Sequence, residues 1–367
     1  MIRRYLPKSV DELAQWYMRY VSPFALIAGF LADNLILLRR VDLWTGNTLL
    51  FFYLALAASC IVVLNLITTG RLRQEWLLRV TPLIPVVAQF AFGGLLSGYL
   101  SLYSRSAAFA ASGIFVLIVA ALLFGNERFF RLYMKFSFQV SIFFTVLFAF
   151  LIFFLPVVFR EIGPYMFLAS GAVSLVVIAG FLRFLGYLMP ELLAQERTRV
   201  ARAIGVIFII FNILYFSNAI PPLPLSLKEI GIYHSVSSTS EGDFRVSGEP
   251  APWYTEFLPV PRKFHHAPGQ ATYAFSAVFA PSGLSTIILH EWQRYDEELG
   301  EWTTSATVRY PIVGGRDGGY RGYSFIKNIS AGLWRVNVVT QYGQLIGRIK
   351  FTVIEVSAPV ETQEVIR

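Results

Sequence analysis

The sequence predicts a membrane-embedded all-α bundle of about seven transmembrane helices followed by an all-β, immunoglobulin-like sandwich, and three observations predict it. Hydrophobic residues make up 55% of the chain and charged residues 15%, with a mean hydropathy of +0.57, whereas soluble domains carry about a quarter charged residues. Apolar runs of membrane-spanning length recur up to about residue 220 and then stop. Beyond that point the apolar runs are short, alternate with polar residues and are broken by Gly and Pro. The expected organisation is a polytopic helical domain over residues 1–220, a proline-rich stalk over 221–240 and an extracytoplasmic sandwich over 241–367.

A span needs roughly 20 mostly apolar residues to cross the hydrocarbon core. Such runs lie near residues 21–38, 47–69, 80–103, 106–124, 136–159, 163–186 and 203–219. Their orientation follows from the loops, because Lys and Arg accumulate on the cytoplasmic side. With the N-terminus inside, the inner segments hold fourteen: Arg3, Arg4, Lys8, Arg19, Arg71, Arg73, Arg79, Arg128, Arg131, Lys135, Arg183, Arg197, Arg199 and Arg202. The outer loops hold four, Arg39, Arg40, Arg105 and Arg160. An odd number of crossings then exports everything after about residue 220. The expected location is a bacterial cytoplasmic (inner) membrane, with the lipid bilayer as the first partner.

The formal charge of +8 is not a nucleic-acid footprint. Of 31 Lys and Arg, 18 precede residue 220, against 9 of the 23 Asp and Glu, so the membrane half is net +9 and the remainder net −1. Basicity placed this way sets topology and faces lipid headgroups, and no nucleic-acid partner is expected. The one cysteine, Cys60, lies within the second run, so no internal disulfide is expected. The segment "MIRRYLPKSVDELAQWYMRY" reads as a polar leader, and the first span as an uncleaved signal anchor.

Pro221, Pro222 and Pro224 end the last helix and favour extended polyproline geometry, which defines the stalk. After it the pattern has period two. Tyr273, Phe275, Ala277 and Phe279 share one face of a strand, as do Trp334, Val336 and Val338, and Ile349, Phe351 and Val353. Further strands are expected over 285–295, 303–312 and 322–329, separated by turn signals such as "APSG" and "QYGQ". Six or seven short strands at this spacing, with no helical stretch, give the two-sheet sandwich.

His290 with Trp292, the Gly314–Gly322 segment, Gly332 with Trp334 and Val336, and Gly343 with Gly347 occur in a fixed order. In that order and spacing the last hundred residues resemble the bacterial domain of unknown function 2914 family. The resemblance implies a C-terminal domain of this type in a bacterial membrane protein, and it implies no activity.

Several residues stand out as candidate sites. "GGRDGGYRGYS" (Gly314–Ser324) has the glycine density of an anion cradle, with Arg316 and Arg321 as charge-assisted donors. No helix follows it, so the bland reading is a hairpin connection whose glycines supply positive φ. Trp253 and Trp302, flanked by turn residues, are candidates for an exposed sugar platform, whereas Trp292 and Trp334 read as core. Of the four histidines, His234, His265, His266 and His290, a pair with Glu291 or Asp296 could in principle hold zinc, but His290 and Glu291 point to opposite faces of a strand and His265 and His266 read as loop residues, so no metal site is expected. No Gly-x-Ser-x-Gly or His-Glu-x-x-His motif is present, so no catalytic residue and no cofactor are expected.

Inside the expected bundle, Asp33 is the ionisable candidate, its bland reading an interfacial pair with Arg39 or Arg40 or a water-exposed carboxylate. Asn65, Gln89, Gln139 and Asn212 read as amides that tie helices together, and Gly94 with Gly98 as a close-approach face. Three functions are compatible with these features. The favoured one is an envelope protein presenting its β domain to a protein or glycan partner. The others are a transporter or channel using the polar residues of the bundle, and a membrane enzyme, for which no catalytic cluster is evident. The sequence leaves the oligomeric state open.

Overall fold

The computed structural model of the chain describes Glu12, Trp16, Leu31 and residues 44–106, 109–126, 132–239, 243–250, 262–327 and 329–367. The chain divides into two compact units, Met1–Arg105 with Ser112–Ile220, and Ser106–Ala111 with Pro221–Arg367.

The first unit is helical. Its elements are α1 (Trp44–Thr68), α2 (Glu75–Val80), α3 (Ile84–Ser106), α4 (Phe109–Asn126), α5 (Phe136–Phe159), α6 (Pro164–Leu188) and α7 (Pro190–Phe216). Five helices are long and apolar enough to cross a membrane: α1, α2 continued by α3, α5, α6 and α7. A sixth, shorter apolar stretch spans Ser112–Asn126. The described residues therefore hold six apolar helices where about seven were expected; the first expected span, 21–38, lies outside the described residues apart from Leu31. Pro164 and Pro190 open α6 and α7 at first-turn positions, where a missing N–H costs nothing.

Helix α5 is the hub. Phe144, Phe148, Phe150 and Phe153 have no exposed surface, and the Phe148 ring stacks on Phe167 of α6 at 5.8 Å and on Phe208 and Phe211 of α7 at 5.7 and 4.7 Å. Gly94 is a close-approach position as expected: a Cβ there would stand 2.6 Å from the Tyr53 ring of α1.

Polar side chains tie the bundle at one end. Asn65 donates to Gln139 Oε1 at 2.5 Å, Gln139 donates to the Tyr133 carbonyl at 2.5 Å, the Tyr133 hydroxyl donates to Asn126 Oδ1, and Asn126 donates to the Gln89 carbonyl at 3.0 Å. These residues lie near the C-terminal ends of α1 and α4 and the N-terminal ends of α3 and α5. They meet only because successive helices run in alternating directions. Gln89 joins through its backbone carbonyl, and Asn212 departs from expectation by donating to Phe208 of its own helix at 2.8 Å.

The second unit is built of strands: β1 (Ser226–Tyr233), β2 (Ser235–Ser238), β3 (Phe244–Gly248), β4 (Arg262–His266), β5 (Ala271–Phe279), β6 (Ser285–Asp296), β7 (Glu301–Val313), β8 (Tyr320–Lys327), β9 (Gly332–Thr340), β10 (Leu345–Glu355) and β11 (Gln363–Ile366). They form three sheets, β1-β5-β8, β4-β10-β9-β6-β7 and β11-β3-β2. Pairing is antiparallel except between β4 and β10.

Two expectations are corrected here. The segment 221–240, expected to be a polyproline stalk, carries β1 and β2, with Tyr233 in register with Tyr273. The described residues also hold eleven strands in three sheets, not six or seven in two. The reason lies in β5, which is buried on both faces from Ala274 onward. Ala274 packs with Trp292, Trp334, Val336 and Phe351 on the side of the five-stranded sheet. Phe275 packs with Val236 and Val246 of β2 and β3 on the other side. An aromatic stripe on one face of β5 thus has a second core behind it, to which β5 contributes the small Ala274 and the five-stranded sheet contributes Trp292, Trp334 and Phe351.

Candidate functional site

The outer face of the five-stranded sheet gathers polar and aromatic side chains from four strands. Alternation places Glu291, Gln293 and Tyr295 of β6, Arg335 and Asn337 of β9, and Arg348 and Lys350 of β10 on the face opposite the core residues Trp292, Trp334, Val336 and Phe351. Trp302 of β7 lies opposite Tyr295, with ring centroids 5.3 Å apart. Over the Trp302 ring sit the Arg335 guanidinium at 4.2 Å and the Lys350 ammonium at 5.9 Å.

Hydrogen bonds fix the array. Arg335 Nε donates to Gln293 Oε1 at 2.7 Å, Asn337 Nδ2 donates to the same oxygen at 3.2 Å and to Glu291 Oε2 at 3.4 Å, and Arg348 Nε donates to Asn337 Oδ1 at 2.6 Å. Burial, then the neighbouring Arg348, pulls the Arg335 guanidinium down to about 10, with Glu291 acting against them. Burial likewise lowers Arg348, again opposed by Glu291. Three cations around one carboxylate make this face short of negative charge. It suits an anion carrying an apolar or sugar ring, which charge-assisted donors and an aromatic surface hold together.

The glycine-rich segment is spent on structure. The Gly314 amide donates to the Leu284 carbonyl at 2.8 Å, that of Gly315 to Ala280 at 3.0 Å and that of Gly319 to Arg316 at 3.0 Å, so these amides are not turned to an anion. A Cβ on Gly314 would stand 1.8 Å from the Pro281 carbonyl oxygen, and one on Gly322 2.5 Å from the Tyr310 ring. Arg321 pairs with Asp243, whereas Arg316 is exposed. Of the other predicted positions, Trp302 lies in the array, and Trp253 and Asp33 lie outside the described residues.

The histidines fall into two settings. His290 is fully buried: Nε2 is 2.8 Å from Ser276 Oγ and 3.2 Å from the Tyr310 hydroxyl, and Nδ1 is 2.9 Å from Ser324 Oγ, which also accepts from Trp292 Nε1 at 2.9 Å. Burial holds its pKa down to about 3, so the ring is neutral at physiological pH. The His-x-Trp pattern is thereby explained, since both side chains cross from β6 to one serine of β8. The second setting is a shared carboxylate: Glu249 lies 3.1 Å from His234 Nε2 and 2.7 Å from His265 Nδ1, and it also accepts from the His265 amide at 2.7 Å. Burial alone raises this carboxyl, but the hydrogen bonds from His265 and His234 outweigh it and hold the group below its usual range. Among the described residues no three His, Cys, Asp or Glu are placed to hold a metal ion.

The fold and site together define a class: a chain with an apolar helical unit and a β-rich C-terminal unit that displays a cationic, aromatic sheet face. Residues 285–353 match the family model described as Protein of unknown function (DUF2914). That stretch runs from the first residue of β6 into β10 and contains the whole array from Glu291 to Lys350. The search of curated proteins gives no match. Among solved structures, the alkylpurine DNA glycosylase AlkC of Pseudomonas fluorescens, bound to DNA containing an abasic site analog, is similar at 10% identity over 86% of this chain and 99% of that one, with a TM-score of 0.22. At that score nothing about this chain follows from it.

Proposed function

We propose that this is a multi-pass protein of the bacterial cytoplasmic membrane, its N-terminus cytoplasmic, that presents the strand unit outside the cytoplasm and binds an anionic glycan or protein of the cell envelope. The observation that carries the binding reading is the surplus of cations on one sheet face, Arg335, Arg348 and Lys350 against Glu291, with Arg335 stacked on the Trp302 ring. Five apolar helices of spanning length support the membrane reading, and the basic bias of alternate loops supports the orientation. Binding needs no catalytic group. The helical unit anchors the domain and limits its search to the membrane surface.

The test is retention of the detergent-solubilised full-length protein on immobilised polygalacturonate against uncharged dextran. Retention on the acidic polymer that weakens with salt and is lost in an Arg335→Gln/Lys350→Gln variant supports the reading. A photo-crosslinker at Trp302 that captures an envelope protein instead assigns the same face to a protein partner. Retention unchanged by the double substitution, with no crosslink at Trp302, removes the face from the function.

A further inference from the structure

A groove in the helical unit combines a charged end with an apolar end. The charged end is an open cleft of ≈ 470 Å³ lined by Ser141 of α5 and by Arg199, Arg202, Ala203, Val206 and Ile207 of α7. The apolar end is a cavity of ≈ 160 Å³ between α3, α4, α5 and α7, lined by Tyr99, Phe115, Val146, Ile210, Phe211 and neighbouring apolar side chains. The two share Ile207, and Ser141 and Thr145 line them one turn apart on α5.

The two ends differ in what they offer a ligand. In the cavity the only hydroxyls are already used: Tyr99 donates to the Val146 carbonyl at 2.8 Å and Thr145 to the Ser141 carbonyl at 2.9 Å. A cavity without free donors stays dry and accepts hydrocarbon. At the other end Arg202 donates Nε–H to the Thr198 carbonyl at 3.3 Å, and a guanidinium carries five donors in all. Arg199 is shared with Glu196 at 3.1 Å and is 70% exposed.

Length decides the ligand. From Arg202 to Leu214 is twelve residues of helix, about 18 Å at 1.5 Å per residue, and one leaflet of hydrocarbon is about 15 Å deep. We infer that the groove between α5 and α7 is a binding site for one anionic phospholipid, its phosphate held by Arg199 and Arg202 and an acyl chain lying in the apolar cavity. Ser141 borders the glycerol level, where its hydroxyl already donates to the Ser137 carbonyl at 2.6 Å and its oxygen is open to accept. Basic side chains beside an apolar helical stretch are suited to such headgroups, and Arg197, Arg199 and Arg202 lie within α7 just before its apolar half.

The experiment is native mass spectrometry of the full-length protein extracted from nanodiscs of equal phosphatidylglycerol and phosphatidylcholine. One phosphatidylglycerol is expected to be retained over phosphatidylcholine by about tenfold or more, the size two arginines give near an anionic headgroup. Arg199→Gln with Arg202→Gln should abolish that preference, Arg202→Lys should keep most of it, and Ile210→Trp, which fills the cavity, should reduce retention of both lipids. Arg183, an exposed arginine of α6 outside the groove, is the control. An unchanged preference in the double variant, or an equal loss in Arg183→Gln, overturns the assignment. If the double variant fails to fold, an Arg202→Lys protein without the preference does so as well.

Discussion

The two units bury their polar groups in opposite ways. In the helical unit the outside is apolar: 28% and 17% of the residues in the apolar windows of α6 and α7 are buried, against 72% in α5, and Val176, Ile209 and Ile213 stand exposed. Asn65, Asn126 and Gln139 turn inward and bond to neighbouring elements, whereas the buried side-chain amide of Gln89 has no hydrogen-bond partner among the described residues. In the strand unit the outside carries the charges, and the polar core residues, His290 with Ser276 and Ser324, are closed into one fully buried network between two sheets. In both units most buried polar groups find a partner, with Gln89 of α3 and Thr286 of β6 among the exceptions. What differs is the surface each unit displays, apolar in one case and charged in the other.

The contrast predicts separable responses. The largest is expected from Trp292→Ala, which empties the core between sheets and should cost about 3–5 kcal/mol. Hydrogen exchange on the full chain should show amides of β6 and β9 losing protection while those of α5 keep theirs; a parallel loss in α5 would erase the distinction. Next comes acid. The folded His290 has its pKa lowered from 6.5 to about 3, so below pH 6.5 the unfolded chain binds a proton that the folded chain refuses. This stability is fully present above pH 6.5 and falls by about 1.4 kcal/mol per pH unit as pH drops toward 3. His266, also lowered, mainly by burial and then by His234, adds in the same direction. The stability from Glu249 is present above its ordinary 4.5 and is lost only as pH falls below that and on through its lowered folded value. Unfolding of a His290→Asn variant between pH 6.5 and 4.5 should show a shallower slope, and an unchanged slope would contradict the assignment.

A smaller effect is expected in the other unit. Gln139→Leu breaks the tie between α1, α5 and the Tyr133 turn and should cost about 1–2 kcal/mol, read as lower thermal stability in detergent with the strand unit unaffected. The smallest is Arg321→Ala: its pair with Asp243 is partly exposed, and such pairs contribute up to about 1 kcal/mol. A much larger loss there would mean that the glycine-rich segment depends on Arg321.

Hydropathy found the helical unit well. The run at 136–159 coincides with α5, and that at 163–186 with α6 to within two residues. It missed the start of α7 at Pro190, because "PELLAQERTRVAR" is helical without being apolar. Period-two alternation found β5, β6, β7, β8, β9 and β10. It missed β1, β2, β3, β4 and β11, the first and fourth for different reasons: β1 follows three prolines that read as a stalk, and the "RKFHH" of β4 is held by parallel pairing to β10, a partner almost ninety residues away.

The site was half legible. Trp302 announces itself by its turn-flanked position, but Arg335 and Lys350 reach it only through the registers of β6, β9 and β10, which no local pattern encodes. His290 and Glu291 were separable by alternation alone, whereas the serines that enclose His290 lie on other strands.

The proposed topology puts the strand unit on the opposite side of the membrane from the basic stretch of α7. Cysteine labelling tests it directly, because the one native cysteine, Cys60, is buried within α1. Ser305→Cys on β7 and Gln195→Cys at the start of α7 are both exposed positions. With a membrane-impermeant maleimide on intact spheroplasts, the cysteine at 305 should label and the one at 195 should label only after lysis. The reverse pattern, or labelling of both before lysis with the membrane intact, would contradict the account.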